Sequence, residues 1–247
     1  MIVPHQDTAL MEDYARAADD LAGRLHRCLE TPGSGAALAD YVEGATDRRT
    51  ALAAVRVLGP DVLAPALFGT RRIDPADREV LATALAHYPL DAGGTAETMC
   101  LDRVTTGLLH RAEGAVSGDG VAVDDAVDVD TFLRPEERWR PWAQQMAGVA
   151  SCALPGVCGS LVEQARTRAA DLGRGVARAM LRRDYRTAAR LVRWTALADN
   201  NRAAVDQLNI EAVLRHLELC GSVNARLSLD VRIARLLRTR TRREGAG

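Results

Sequence analysis

The stretch VCGSLVEQARTRAADLGRGVARAMLRRDYRTAARLVRWTALADN, residues 157–200, decides the fold class. It contains no proline, and apolar or small residues recur along it at helical spacing, through Val162, Ala165, Ala169, Gly173 and Met180. Such a face lets a helix sit close to its neighbours. The periodicity predicts one long helix from about Val157, bent near Arg183–Asp184.

The same pattern extends outward. Towards the C-terminus it predicts helices over about Asn201–Cys220 and Asn224–Thr239. Before Leu154-Pro155-Gly156, a helix opened by Pro135 carries Trp139, Trp142, Met146 and Val149 at three- and four-residue steps, a core stripe. Nearer the N-terminus, helices are expected over Thr8–Glu30, Ala36–Leu58 with a break near Gly44, Asp61–Leu67, Asp74–His87 and Thr95–Glu113. Asp74-Pro75 supplies an N-cap with proline at the first helical position. Between the two groups, residues 114–130 interleave Val121, Val123, Val127 and Val129 with Asp124, Asp125, Asp128 and Asp130, an acidic connector. The expectation is an all-α, multi-helix bundle, either one helical domain over residues 1–247 or two packed halves, 1–113 and 131–247.

Composition narrows the chemistry. Of 247 residues, 47 % are hydrophobic and 4 % aromatic, so the core must be built from Leu, Val and Ala. All 32 basic residues are arginine. Without lysine there is no Schiff-base chemistry and no Walker A loop. The lysine-free composition fits GC-rich coding as readily as selection. The five cysteines, Cys28, Cys100, Cys152, Cys158 and Cys220, include no CxxC pair. With no signal-peptide pattern and no window judged apolar enough to span a bilayer, a cytoplasmic location with reduced thiols is expected, away from membranes.

Charge is distributed unevenly. Residues 1–130 carry a net −11 and residues 131–247 a net +10, although the whole chain is only −1. Arg174, Arg178, Arg182, Arg186, Arg190 and Arg193 follow at steps of four, four, four, four and three. On one continuous or bent helix they form a drifting stripe with few local carboxylates. Arg232, Arg235, Arg238, Arg240, Arg242 and Arg243 form a second basic cluster.

Three explanations compete for the stripe: a solvated face balanced by the acidic half, an anion site, and a nucleic-acid surface. Guanidinium forks grip carboxylates and phosphates in pairs, which favours anions over the third. No nucleic-acid-binding motif is present, and the pI near 6.5 lacks the usual basic footprint. The leading expectation is an accessory or binding module whose Arg-rich C-terminal half engages an acidic peptide, protein or small anionic ligand.

The alternative is a cofactor-independent small-molecule enzyme of bacterial specialised metabolism, working by acid–base or electrostatic catalysis. Asp206 lies one turn before Ile210 on an apolar arc continuing through Val213, Leu214, Leu217 and Cys220, with Asn209 and His216 at its edges. A carboxylate there must be paired or protonated. His110 shares a helix side with Cys100, Arg103 and Thr106. Asp206 and His110 are therefore the candidate catalytic pair. His110 and Glu113 are too little for a metal site, and no HExxH or calcium-loop pattern occurs, so neither metal nor cofactor is expected.

Overall fold

The computed structural model describes residues 4–31, 37–69, 73–90, 93–114, 133, 138–198, 209–221 and 224–244. The chain is an all-α multi-helix bundle, with no strand among the described residues. Most of the acidic connector lies outside them, as does Asp206.

The N-terminal elements are α1 (Pro4–Glu30), α2 (Leu38–Glu43), α3 (Arg48–Leu58), a 3-10 turn (Gly59–Leu63), α4 (Ala64–Phe68), α5 (Pro75–His87) and α6 (Ala96–Gly114). Side-chain caps set several boundaries. Asp47 opens α3 by accepting from the Arg49 amide at 2.9 Å, and Asp74 opens α5 by accepting from Ala76 at 2.9 Å. The helices that follow are α7 (Trp139–Gly148), a 3-10 turn (Ala150–Cys152), α8 (Gly159–Thr167), α9 (Ala169–Leu181), α10 (Tyr185–Ala198), α11 (Ile210–Gly221) and α12 (Ala225–Glu244).

The long run read as one bent helix is divided instead. Arg168 interrupts it between α8 and α9, and a full reversal motif separates α9 from α10. Arg183 takes a left-handed backbone, φ 58°. Its amide bonds the Met180 carbonyl at 3.0 Å, and the next amide, Asp184, reaches back to Ala179 at 2.9 Å. That pair of bonds closes α9 with a Schellman turn. The Asp184 carboxylate then accepts from the Thr187 amide at 3.1 Å and opens α10. Periodicity carried no warning, because non-glycine residues seldom adopt this conformation.

Helix α10 lies at the centre, packed on α12, α9, α11, α7 and α8. From Ala188 onward nearly every residue is buried, including Leu191, Val192, Trp194 and Ala196. Burying each large apolar side chain contributes about 1.5–3 kcal/mol. Helix α1 packs on both α3 and α12, and the buried apolar cluster runs from Ala18 to Leu237.

The sequence reading found no span-like window, yet Arg48–Phe68 has the length and apolarity to cross a membrane. In the fold, 72 % of that window is buried, and the 3-10 turn containing Pro60 interrupts it.

Candidate anion-binding cleft

Helix α9 places Ala169, Leu172, Gly175, Val176 and Ala179 inward and leaves Arg174 and Arg178 exposed. Small residues let its neighbours come close. A methyl group added at Gly175 would lie 2.9 Å from Leu191 Cδ1 on α10 and 3.1 Å from Ala143 Cβ on α7. Ala143, Gly175, Ala179 and Leu191 thus form the floor of a cleft of about 450 Å³, within the range of small-molecule sites.

The walls of this cleft are basic and aromatic. Trp139, Arg140 and Gln144 come from α7, Arg178 from α9, Arg182 from its end, and Asp184 from the reversal turn. The Arg140 guanidinium stands over the Trp139 ring, 5.4 Å from its centroid. Three guanidiniums therefore border one concavity with one carboxylate, and that carboxylate is already engaged in capping α10. Among the described residues, no carboxylate lies within ion-pair distance of Arg140, Arg178 or Arg182.

Other members of the arginine stripe have partners. Arg174 pairs with Asp171 at 3.0 Å. Arg190 approaches Asp230 at 4.0 Å. Arg193 is wholly buried, 0 % exposed, and donates twice to Asp61 (Nη1 2.9 Å, Nη2 2.6 Å) and once to Asp230 (2.8 Å). Ser151 Oγ also donates to Asp61, at 2.9 Å. Burial alone would pull the Arg193 guanidinium down, but Asp61 and Asp230 reverse this and hold it above its ordinary value. Burial pushes the Asp230 carboxyl above the usual carboxylate range despite Arg193. Arg193 thus serves as a counter-ion inside the bundle. Arg186 lies with Arg190 and Arg226 beside the entrance to that cluster. Desolvation, then the charges of Arg190 and Arg226, lower its pKa.

The C-terminal basic cluster is partly consumed as well. Arg235 forms ion pairs with Glu218 and Glu211, Arg238 with Glu211 at 2.7 Å, and Arg232 bonds the Leu29 carbonyl at 2.7 Å. The Arg235 bonds hold the Glu211 carboxyl below its ordinary range.

Of the candidate catalytic pair, Asp206 lies outside the described residues, so only His110 can be placed. His110 is exposed on α6. Cys100 lies ten residues earlier on the same helix, a rise of about 15 Å, and is buried. His216 is exposed and stacks on Tyr185, centroids 5.6 Å apart, while Asn209 caps α11 through the Ala212 amide at 3.0 Å. Among the described residues, no group of three or more His, Cys, Asp or Glu is arranged to hold a metal.

Sequence reasoning missed Asp61, Asp230 and the cleft roles of Trp139 and Arg140. Two of these had a legible signal. Asp61 is the sole acid between Ala51 and Phe68, and Asp230 stands between Leu229 and Val231. A charge in such surroundings calls for a counter-charge. Trp139 was read as core with Trp142. In the fold Trp142 is buried and Trp139 remains half-exposed at the cleft. No protein-family model, curated protein or solved structure matches the chain, so its candidate site rests on its own geometry.

Proposed function

We propose that this protein is a helical binding module whose cleft between α7, α9 and α10 receives a carboxylate- or phosphate-bearing group. The observation that carries the reading is the convergence of Arg140, Arg178 and Arg182 on one concavity without matching carboxylates among the described residues. Guanidiniums are most effective where two or more engage one oxyanion, since each planar fork offers paired donors. Trp139 adds a flat apolar wall, so a ligand with an apolar or planar body beside its charge fits better than a bare ion.

An acidic peptide and a small organic anion offer the cleft the same chemistry. Isothermal titration with hexaglutamate and with phenyl phosphate separates these sources, with inorganic phosphate as the bare-ion control. At low salt, at least one of the first two should bind saturably and more tightly than inorganic phosphate. The double variant Arg178→Gln/Arg182→Gln should weaken that binding by roughly tenfold or more, equivalent to about 1.4 kcal/mol. Arg174→Gln should leave it nearly unchanged, because Arg174 already pairs with Asp171. Absence of saturable binding by both probes, or equal losses in the two variants, would contradict the reading.

A further inference from the structure

Near its N-terminal end, α1 leaves both charge and apolar surface uncovered. Leu10, Met11, Glu12 and Asp13 are all exposed, Leu10 by 46 % and Met11 by 66 %. Single exposed apolar residues are ordinary on a protein surface; here two adjoin and are followed by two carboxylates. Asp13 pairs with Arg16 at 2.7 Å, but both side chains are more than half exposed. Water weakens such a pair, so its partner is readily exchanged.

The surroundings of this stretch are acidic. A concavity lined by Asp13, Asp20, Asp40 and Asp47 has only Arg16 and Arg24 as basic members, a net of −2. The arginine cleft carries the opposite balance, Arg140, Arg178 and Arg182 against Asp184, a net of +2. It too has apolar surface at its border. Trp139 is half-exposed on one wall, and Leu181, 86 % exposed, adjoins Arg182 in the chain. Two surfaces of the same chain are thus opposite in charge and alike in apolar character.

The anchoring of α1 assigns any contact between them to separate molecules. Helix α1 packs on α3 and α12, whereas the cleft lies between α7, α9 and α10. Tyr41 on α2 donates to the Ala17 carbonyl at 2.9 Å, and Arg226 on α12 donates to the Ala15 carbonyl at 2.9 Å. Arg226 also pairs with Asp19 at 2.6 Å. These bonds hold α1 in place from Ala15 onward, on elements other than those of the cleft.

We propose that the exposed stretch Leu10–Asp13 of one copy docks in the arginine cleft of a second copy, a pairing that rests on the anion-binding reading of that cleft. The carboxylates of Glu12 and Asp13 meet the guanidiniums, and Leu10 and Met11 cover Trp139 and Leu181. Because the contact joins two different patches, it is head-to-tail. Reciprocated, it closes a dimer; otherwise it continues from copy to copy. Opposite fields also steer the encounter, so association weakens with salt.

Sedimentation velocity of the full chain, over a range of protein concentrations at about 50 mM salt, reads the association directly. The mass should rise above the monomer with concentration. Saturation with phenyl phosphate or hexaglutamate, whichever titrates into the cleft, should return it to the monomer. Glu12→Arg/Asp13→Arg and Arg178→Glu/Arg182→Glu alter exposed positions only. Each variant alone should associate about tenfold or more weakly than the wild type. An equal mixture of the two should regain association, because the reversed stretch of one then faces the reversed cleft of the other. A chain that stays monomeric while either probe still binds would overturn the self-docking and leave the cleft reading intact; a monomer that binds neither would remove both. Association indifferent to a bound probe, or a mixture no better than its components, would overturn the proposal by placing the contact elsewhere. The wild-type competition decides it even if a reversed variant fails to fold.

Discussion

Arg193 carries its charge into the centre of the bundle, and the surrounding residues are arranged to make that possible. Asp61 grips it with both oxygens, Asp230 adds a third bond, and Ser151 supports Asp61. Arg193→Met should cost about 3–5 kcal/mol in urea unfolding, because two carboxylates would remain buried without their cation. The variant should also respond unusually to pH. A carboxyl whose folded pKa lies above its unfolded value takes up a proton on folding, so its destabilising effect is relieved as pH falls through that folded value. Asp230 is already displaced upward in the wild type, and loss of Arg193 raises it further. The urea midpoint of Arg193→Met should therefore climb between about pH 7 and about pH 5. A midpoint that falls steadily over this interval would refute the assigned role. Glu211 has the opposite sign. Its folded value is lowered by Arg235, so its contribution is present above the ordinary carboxylate range and fades as the solution is acidified.

At the scale of elements, close packing of α9 on α7 and α10 decides whether the cleft exists. Gly175 sits at that approach, whereas a methyl at Gly173 would meet nothing within 4 Å. Gly175→Ala should destabilise by about 1–3 kcal/mol through overpacking, while Gly173→Ala should be neutral or stabilising by up to about 1 kcal/mol through helix propensity. Thermal melts of the two variants should diverge in sign; parallel melts would argue against the packing role. The small-residue face was legible in sequence, although the glycine singled out was Gly173, because spacing alone cannot show which of two nearby glycines faces a neighbour. The Asp74-Pro75 start was equally legible, since the cap is local chemistry. The reversal at Arg183 was hidden, because it uses a left-handed residue with no glycine to announce it. The arginine stripe changed meaning there. Arg178 and Arg182 went to the cleft, whereas Arg193 followed a helix enclosed on nearly every side. Enclosure depends on which elements pack around α10, a long-range property that periodicity within α10 does not contain.

At the scale of the whole molecule, the acidic first half and basic second half neutralise one another only in part among the described residues. Asp61 with Arg193 and Asp19 with Arg226 are pairs across the division, but Arg174, Arg190, Arg235 and Arg238 find their carboxylates within the second half. The cleft arginines are left over from this pairing among the described residues. Because they are at the surface, their attraction for an anion should weaken with salt as the screening length falls towards about 8 Å near physiological ionic strength. Hexaglutamate affinity should accordingly drop on raising salt, while the buried Arg193 cluster keeps its pairing. The most direct test is a nitrogen–proton correlation spectrum of the arginine Nε–Hε groups, assigned by single substitutions and recorded during titration with phenyl phosphate and with hexaglutamate. A cleft that receives an anion requires Arg140, Arg178 and Arg182 to shift together along one saturable curve while Arg193 stays still. Static cleft signals, or small unsaturated shifts spread evenly over the exposed arginines, would contradict it.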